Sequence, residues 1–176
     1  TKKQGINLKN VKRIKEFAFI LSNLETVSLP DTLISLGANV FSYNYNLSFV
    51  DLGRGITTIP ENSFLDNIAL KNIAVPSQIT EIGLRAFKGA RVENIEFNKE
   101  STLRIIGYEA FYGCPISKLD APNSLMMIGG GAFKKCCDLS KVTFQDNSAL
   151  FYIGQKAFEK TVSLINIVFP SELREI

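Results

Sequence analysis

The chain has 176 residues, of which 45% are hydrophobic and 21% are charged, and its formal net charge is +3. This composition is too apolar for a disordered chain, and the longest uninterrupted apolar run, residues 17–21, is much too short to cross a membrane. The sequence contains no histidine, which is the commonest general base and metal ligand, so we predict neither an enzyme nor a bound cofactor.

The excess positive charge comes from the first 15 residues. This segment has six basic side chains and no acidic one: Lys2, Lys3, Lys9, Lys12, Arg13 and Lys15. No aromatic residue is interleaved with these charges, and no nucleic-acid-binding motif follows them. We therefore interpret the segment as a solvated terminal edge and predict no nucleic-acid partner.

Most of the chain is an internal repeat. A phenylalanine that follows an isoleucine or leucine by five residues occurs seven times, at intervals of 22 to 25 residues. The pairs are Ile14/Phe19, Leu36/Phe41, Ile59/Phe64, Ile82/Phe87, Ile106/Phe111, Ile128/Phe133 and Ile153/Phe158. Loops between stacked elements tolerate such small differences in length, so the spacing predicts a repeat architecture.

Each phenylalanine is followed by a pattern that is typical of a short strand. The pattern is apolar-x-x-apolar-x-apolar, and its seven copies are Leu24/Val27/Leu29, Leu47/Val50/Leu52, Leu70/Ile73/Val75, Val92/Ile95/Phe97, Ile116/Leu119/Ala121, Leu139/Val142/Phe144 and Leu164/Ile167/Phe169. Alternation with a period of two places these side chains inward and their neighbours outward. Four copies are followed directly by Pro30, Pro76, Pro122 and Pro170, so each strand is expected to be short.

Units of this kind bury a continuous core when they stack and pair their strands in parallel. We predict a single domain, residues 1–176, that is a repeat solenoid of about seven units: 11–32, 33–55, 56–78, 79–102, 103–124, 125–149 and 150–172, with a partial unit at each end. The strands should form one continuous sheet, and the second face should consist of turns and short helical or extended segments. Five units have a glycine after the isoleucine or leucine, where a side chain would crowd the next unit: Gly37, Gly83, Gly107, Gly129 and Gly154.

The unit resembles the BspA-like, or Treponema pallidum-type, leucine-rich repeat. Residues 106–114 (Ile-Gly-Tyr-Glu-Ala-Phe-Tyr-Gly-Cys) and 128–136 (Ile-Gly-Gly-Gly-Ala-Phe-Lys-Lys-Cys) match it closely, and the resemblance extends over residues 11–176. It implies a right-handed leucine-rich-repeat array without fixed catalytic or ligand-binding residues. Because proteins of this family are mostly surface-exposed and several are regarded as adhesins, the resemblance also implies a cell-surface or secreted location and a host or extracellular-matrix protein as partner.

Two of the three cysteines, Cys114 and Cys136, share one position of adjacent units, where the other units have Ser22, Asn44, Asn67, Ala90 and Thr161. The strand spacing would place their Cα atoms about 5 Å apart, within the range of a disulfide. The small residues at this position in other units favour two reduced, buried thiols instead. Cys137 falls one residue later and should face outward.

The outward residues of the strands form the best candidate binding surface, because solenoid sheets line extended concave surfaces that bind partners. Phe49 beside Asp51 combines an aromatic anchor with a charge. The candidate partner-binding residues are Phe49, Asp51, Asn72, Asn94, Glu96, Lys118, Asp120 and Lys141. Two functions remain open: a binding module that uses this face, and a structural spacer or scaffold array without a specific ligand site. Glu96 and Asp120 could meet the spacing of a hydrolase pair, but we expect no pocket there and assign them no catalytic role.

Both ends of the sequence indicate that the array is part of a longer one. Residues 173–176 repeat the start of a unit, and Ile6 and Leu8 resemble the end of a preceding strand. Exposed ends of a sheet are an aggregation liability that solenoids normally cover. We therefore expect either further units or end-to-end pairing with another copy.

Overall fold

The computed structural model describes residues 6–176, so Lys2 and Lys3 of the predicted terminal basic segment lie outside the described residues. The described chain contains thirteen strands and no helix. Seven short strands each contain the isoleucine or leucine of a unit: β1 (Arg13–Ile14), β3 (Ser35–Leu36), β5 (Thr58–Ile59), β7 (Glu81–Ile82), β9 (Ile105–Ile106), β11 (Met127–Ile128) and β13 (Tyr152–Ile153). Six longer strands follow the second pattern: β2 (Thr26–Ser28), β4 (Phe49–Asp51), β6 (Asn72–Val75), β8 (Asn94–Phe97), β10 (Lys118–Asp120) and β12 (Lys141–Thr143).

All strand pairs are parallel and join equivalent positions of adjacent units, as in Ile82 with Ile106 and Val27 with Val50. This register confirms the predicted solenoid. The exposed surface of the longer strands is called the strand face below, and the opposite surface, formed by the segments around the seven phenylalanines, is called the turn face.

The phenylalanines form the centre of the core. The seven rings, from Phe19 to Phe158, stack in one column with centroid distances of 5.1 to 5.7 Å and interplanar angles of 2° to 14°. The five inner rings are fully buried, whereas the two terminal rings are partly buried. Each inner ring therefore packs against a ring of the unit before it and of the unit after it, as the repeat register predicts.

Two residues with left-handed backbone conformation flank each phenylalanine, at the second position before it and the second position after it. Their φ values lie between 51° and 75°. With this alternation, the N–H groups of Asn39, Phe41 and Tyr43 all donate to carbonyls of the next unit, at 2.8 to 3.0 Å. Eleven of the fourteen residues are not glycine and therefore adopt a conformation that costs L-amino acids energy. The first position has Phe17, Asn39, Asn62, Arg85, Glu109, Gly131 and Lys156, and the second has Leu21, Tyr43, Asp66, Gly89, Gly113, Lys135 and Lys160. We attribute their tolerance to the ladder of hydrogen bonds that the conformation makes possible.

The short strands approach one another closely because glycine follows them. A Cβ atom on Gly129 would lie 2.6 Å from the carbonyl carbon of Gly107, far inside van der Waals contact. The N–H of Gly129 instead donates to Ile106 O at 2.7 Å, and the same bond recurs in other units. Pro60 occupies this position in one unit and has no N–H, and the ladder of short strands is interrupted there, between β3 and β5.

The longer strands do not form the predicted continuous sheet. They pair two by two, as β2 with β4, β6 with β8 and β10 with β12, and the five-stranded sheet consists of the short strands β5, β7, β9, β11 and β13. Between β6 and β8, Asn98 N donates to Val75 O at 3.3 Å. Pro76 and Pro122 hold the equivalent position after β6 and β10 and lack this donor, and the breaks fall between β4 and β6 and between β8 and β10.

The second face consists of turns and short strands, as one of the two predicted kinds of segment allowed, and it contains no helix in residues 6–176 because the left-handed residues interrupt every turn. One further expectation was wrong: the predicted strand of residues 164–169 does not form. Pro170, which has no N–H to donate, follows this segment directly.

A buried column of side-chain donors runs beside the phenylalanines. Cys114 Sγ donates to Phe87 O at 3.0 Å, and Cys136 Sγ donates to Phe111 O at 3.1 Å. Asn67 occupies the same position in another unit, and its Nδ2 donates to Phe41 O at 3.0 Å. The position at which the sequence has small residues in other units therefore also favours a side chain that donates a hydrogen bond.

Both thiols of this column are free and buried, whereas Cys137 is exposed as predicted. Burial raises the pKa of Cys136 to about 12 and also raises the pKa of Cys114 well above its ordinary value. Both are therefore neutral donors at physiological pH.

Candidate binding face

The eight candidate residues all lie exposed on the strand face. They come from five of the six longer strands: Phe49, Asp51, Asn72, Asn94, Glu96, Lys118, Asp120 and Lys141. The central residues of these strands, such as Val50 and Ile73, point into the core. The alternation of the strand pattern therefore identified the exposed side chains correctly.

The first break in pairing, between β4 and β6, coincides with an open groove of about 310 Å³. Phe49, 52% exposed, stands at one side of the groove, and the carboxylates of Asp51 and Glu96 stand on strands either side of Ala74. The methyl side chain of Ala74 leaves a gap between these two longer side chains. Phe97, which is partly buried, also lines the groove.

The lining of this first groove is apolar and acidic. Its side chains include two phenylalanines, two carboxylates and no basic group. Such a lining favours an apolar side chain that lies next to a lysine or arginine, because the apolar surface is removed from water while the cation approaches the carboxylates.

A second groove, of about 270 Å³, lies at the other break, between β8 and β10. Asn72, Asn94, Glu96, Lys118 and Asp120 line it. Asn94 Nδ2 donates to Asn72 Oδ1 at 2.8 Å, and Lys118 forms an ion pair with Asp120 on its own strand. This groove is polar and offers hydrogen bonds.

Glu96 lines both grooves, so the two form one surface that crosses β4, β6, β8 and β10. The structure brings seven of the eight candidate residues to this surface. Lys141, on β12, lines neither groove.

Several residues that line the grooves are not among the predicted site residues. Ala74 and Phe97 line the first groove, yet one is a small outward residue and the other has the spacing of a core residue. Pro76 is also part of the lining, and its position after a strand does not by itself indicate a break in the sheet. The expectation that this face has no pocket was therefore wrong.

The described chain contains no cluster of three or more histidine, cysteine, aspartate or glutamate side chains that could hold a metal ion. It also contains no helix that is long and apolar enough to cross a membrane.

The sequence matches the BspA type leucine-rich repeat region in six copies, over residues 2–103 and 57–176. The chain belongs to this family. A comparison with functionally curated proteins gives no match.

Solved structures of bacterial leucine-rich repeat proteins are similar to this chain. A leucine-rich repeat protein from Eubacterium ventriosum has a TM-score of 0.76 and 26% identity over 88% of this chain and 42% of its own. A leucine-rich cell surface protein from Faecalibacterium prausnitzii has a TM-score of 0.55 and 26% identity over 82% of this chain and 32% of its own. The pneumococcal vaccine antigen PcpA, with a TM-score of 0.67 and 18% identity over 96% of this chain and 60% of its own, supports the fold alone. The chain thus spans between a third and three fifths of the length of these structures.

Proposed function

We propose that this chain is a non-catalytic protein-binding module of a surface or secreted leucine-rich repeat protein, and that it binds its partner through the strand face. The observation that carries this proposal is the surface formed by the two grooves, where seven predicted residues meet. An adhesin-like role is consistent with the family and with the cell-surface protein among the similar structures.

The first groove supplies the anchor of this proposed site. Phe49 is the one exposed aromatic side chain on the strand face of β4 to β10, and aromatic anchors dominate the energetics of many interfaces. The carboxylates of Asp51 and Glu96 add selectivity, because acidic partners are repelled and basic ones attracted. We therefore expect the partner segment to present an apolar side chain next to a lysine or arginine.

The test uses three sets of synthetic 15-residue peptides that contain an apolar residue with basic, acidic or neutral neighbours. We expect the wild-type chain to bind the basic set, and Phe49→Ala combined with Asp51→Ala to weaken that binding at least ten-fold. Leu65→Ala on the turn face, which is partly exposed, is the control for a general loss of apolar surface and should bind as the wild type does. Equal binding by all three proteins would show that the strand face is not the site.

The alternative function is a spacer or scaffold array. The continuous phenylalanine column and the hydrogen-bonded turns favour it, because they stiffen the array irrespective of any ligand. In that case no peptide set should bind, and the strand-face substitutions should leave every property except local charge unchanged.

A further inference from the structure

The turn face carries opposite charges at its two ends. In the seven residues centred on each phenylalanine, the first three units (16–22, 38–44 and 61–67) contain three acidic residues and no basic one. The last four units (84–90, 108–114, 130–136 and 155–161) contain six basic residues and two acidic ones, a surplus of four positive charges. The basic residues, called the basic turn face below, are Arg85, Lys88, Lys134, Lys135, Lys156 and Lys160.

Several of the basic side chains are held close together by contacts with the same neighbouring residue. Glu109, whose side chain is only 14% exposed, accepts from Arg85 Nε at 2.9 Å and from Lys88 Nζ at 2.8 Å. Burial alone would raise the pKa of Glu109, but these two hydrogen bonds outweigh burial and lower it. One carboxylate therefore organises two cations and neutralises only one of them.

Tyr112 contacts two ammonium groups at the centre of this surface, that of Lys88 and that of Lys135. Lys88 Nζ lies 4.8 Å from the centroid of the Tyr112 ring, and Lys135 Nζ lies 5.2 Å from it. Lys134 pairs with Glu159 at 2.7 Å, whereas Lys135, Lys156 and Lys160 have no ion-pair partner in the described chain. Unpaired positive charge is thus concentrated toward the last two of these units.

The cations are spaced by the repeat itself. The phenylalanine rings beneath them are 5.1, 5.5 and 5.5 Å apart from Phe87 to Phe158, and the backbone of each turn is bonded to the next. The cations come from three of the four units, because residues 108–114 carry no basic side chain, and they occupy three positions of the turn. The positive charges therefore form a broad, interrupted row along the solenoid axis on a rigid support. A row of this kind fits a long anionic chain that lies along the axis, rather than a small anion held in a pocket.

We propose that the basic turn face binds an anionic polysaccharide, a linear sugar polymer that carries sulfate or carboxylate groups. Pyranose rings make such a chain stiff, so it loses less conformational entropy on a rigid row of charges than a flexible acidic polypeptide does. A single-stranded nucleic acid fits less well, because it needs open aromatic platforms for its bases. Tyr112 is already contacted by two ammonium groups, and the Arg85 guanidinium lies 6.0 Å from the Tyr108 ring centroid.

The experiment measures binding of the whole 176-residue chain to dextran sulfate, with uncharged dextran as the matched polymer. Lys135→Glu combined with Lys160→Glu reverses two unpaired charges at left-handed positions. Asp66 shows that an acidic residue is accommodated at this second position, at φ 55°, and Glu109 shows that glutamate adopts the same backbone conformation at the first position, at φ 51°. The control, Lys9→Glu combined with Lys12→Glu, makes the same change of net charge in the terminal basic segment.

We expect dextran sulfate to bind the wild type at 150 mM salt and uncharged dextran not to bind. The Lys135/Lys160 variant should bind at least ten-fold more weakly and with a smaller salt dependence, whereas the Lys9/Lys12 control should change less than two-fold. Equal unfolding midpoints would show that all three proteins keep the fold.

Three outcomes would overturn the proposal: no binding by the wild type, equal weakening in both variants, or tighter binding of single-stranded DNA or poly-glutamate than of dextran sulfate at the same salt concentration. The proposal is independent of the peptide site on the strand face, because the variants leave Phe49 and Asp51 unchanged.

Discussion

Removal of one inner phenylalanine tests the core of the solenoid directly. Phe87 is fully buried, and its ring stacks on Phe64 and Phe111 at 5.1 Å on both sides, with interplanar angles of 11° and 2°. Phe87→Ala removes both stacking contacts and leaves a cavity that the bonded turns cannot close, so we expect it to lower the free energy of unfolding by about 3 to 5 kcal/mol.

Phe158 provides the matched comparison for this substitution. Its ring is partly buried and stacks on Phe133 alone, at 5.5 Å. Phe158→Ala should therefore cost only about 1 to 2 kcal/mol. Urea unfolding followed by circular dichroism measures both values, and a broader transition in the Phe87 variant would report the loss of coupling between the units on either side.

A loss of less than about 1 kcal/mol in the Phe87 variant, which is the size of a surface substitution, would show that this ring is not a central part of the core. Equal losses in the two variants would show that the cost does not depend on neighbours on both sides of the ring.

Three further predictions concern the turn face and the thiols. Gly113→Ala, where φ is 75° and nothing lies within 4 Å of the new Cβ, should lower the free energy of unfolding by about 1 to 2 kcal/mol from backbone strain alone. Gly89→Ala should lower it further in the same urea titration, because its Cβ would also meet Asp66 Oδ1. A larger loss for Gly113→Ala than for Gly89→Ala would contradict this account. A thiol reagent should modify one cysteine of the native chain, Cys137, and all three in denaturant, whereas modification of two or more native thiols would disprove the buried column. Hydrogen bonds hold the pKa of Glu109 below its ordinary 4.5, so its contribution to stability is present above pH 4.5 and is lost as the pH falls through the lowered pKa. The difference in unfolding midpoint between the wild type and Glu109→Gln should therefore narrow in acid. A difference that does not change with pH would contradict the lowered pKa of Glu109.

The sequence predicted the repeat, its register and the direction of most side chains, because these follow from the spacing of apolar residues. Val27 and Ile73 point inward and Phe49 and Asn94 point outward, as a period of two requires. Because equivalent positions of adjacent units meet, the phenylalanines of adjacent units stack on one another.

Features that depend on single backbone donors could not be predicted from the spacing. The longer strands pair two by two, Pro76 and Pro122 follow β6 and β10 at the two breaks, and the grooves of the strand face lie at these breaks. The left-handed turns were missed for a related reason. Arg85 and Glu109 occupy positions that carry no glycine signal, and only the hydrogen bonds to the next unit explain their conformation.

The last prediction concerns the surface formed by residues 151–176. Val162, Ile165, Val168 and Ile176 are between 74% and 96% exposed, and the open groove beside them is lined by Phe158, Ile167 and Phe169. Arg174 N donates to Phe151 O at 3.0 Å, and Glu175 forms a parallel bridge with Tyr152, so these residues continue the register of the short strands. Apolar surface of this kind is removed from water when a further unit or a second copy covers it.

We therefore predict that the 176-residue chain self-associates end to end as its concentration rises in sedimentation velocity. Ile165→Glu combined with Val168→Lys places charges of opposite sign on this surface and should shift association to at least ten-fold higher concentration. The control is Ile34→Glu, which changes a side chain that is 60% exposed in the second unit and should leave association unchanged. Association that survives the Ile165/Val168 substitutions and disappears with Phe49→Ala would place the contact on the strand face instead, and a strictly monomeric wild type would show that this apolar surface does not drive assembly.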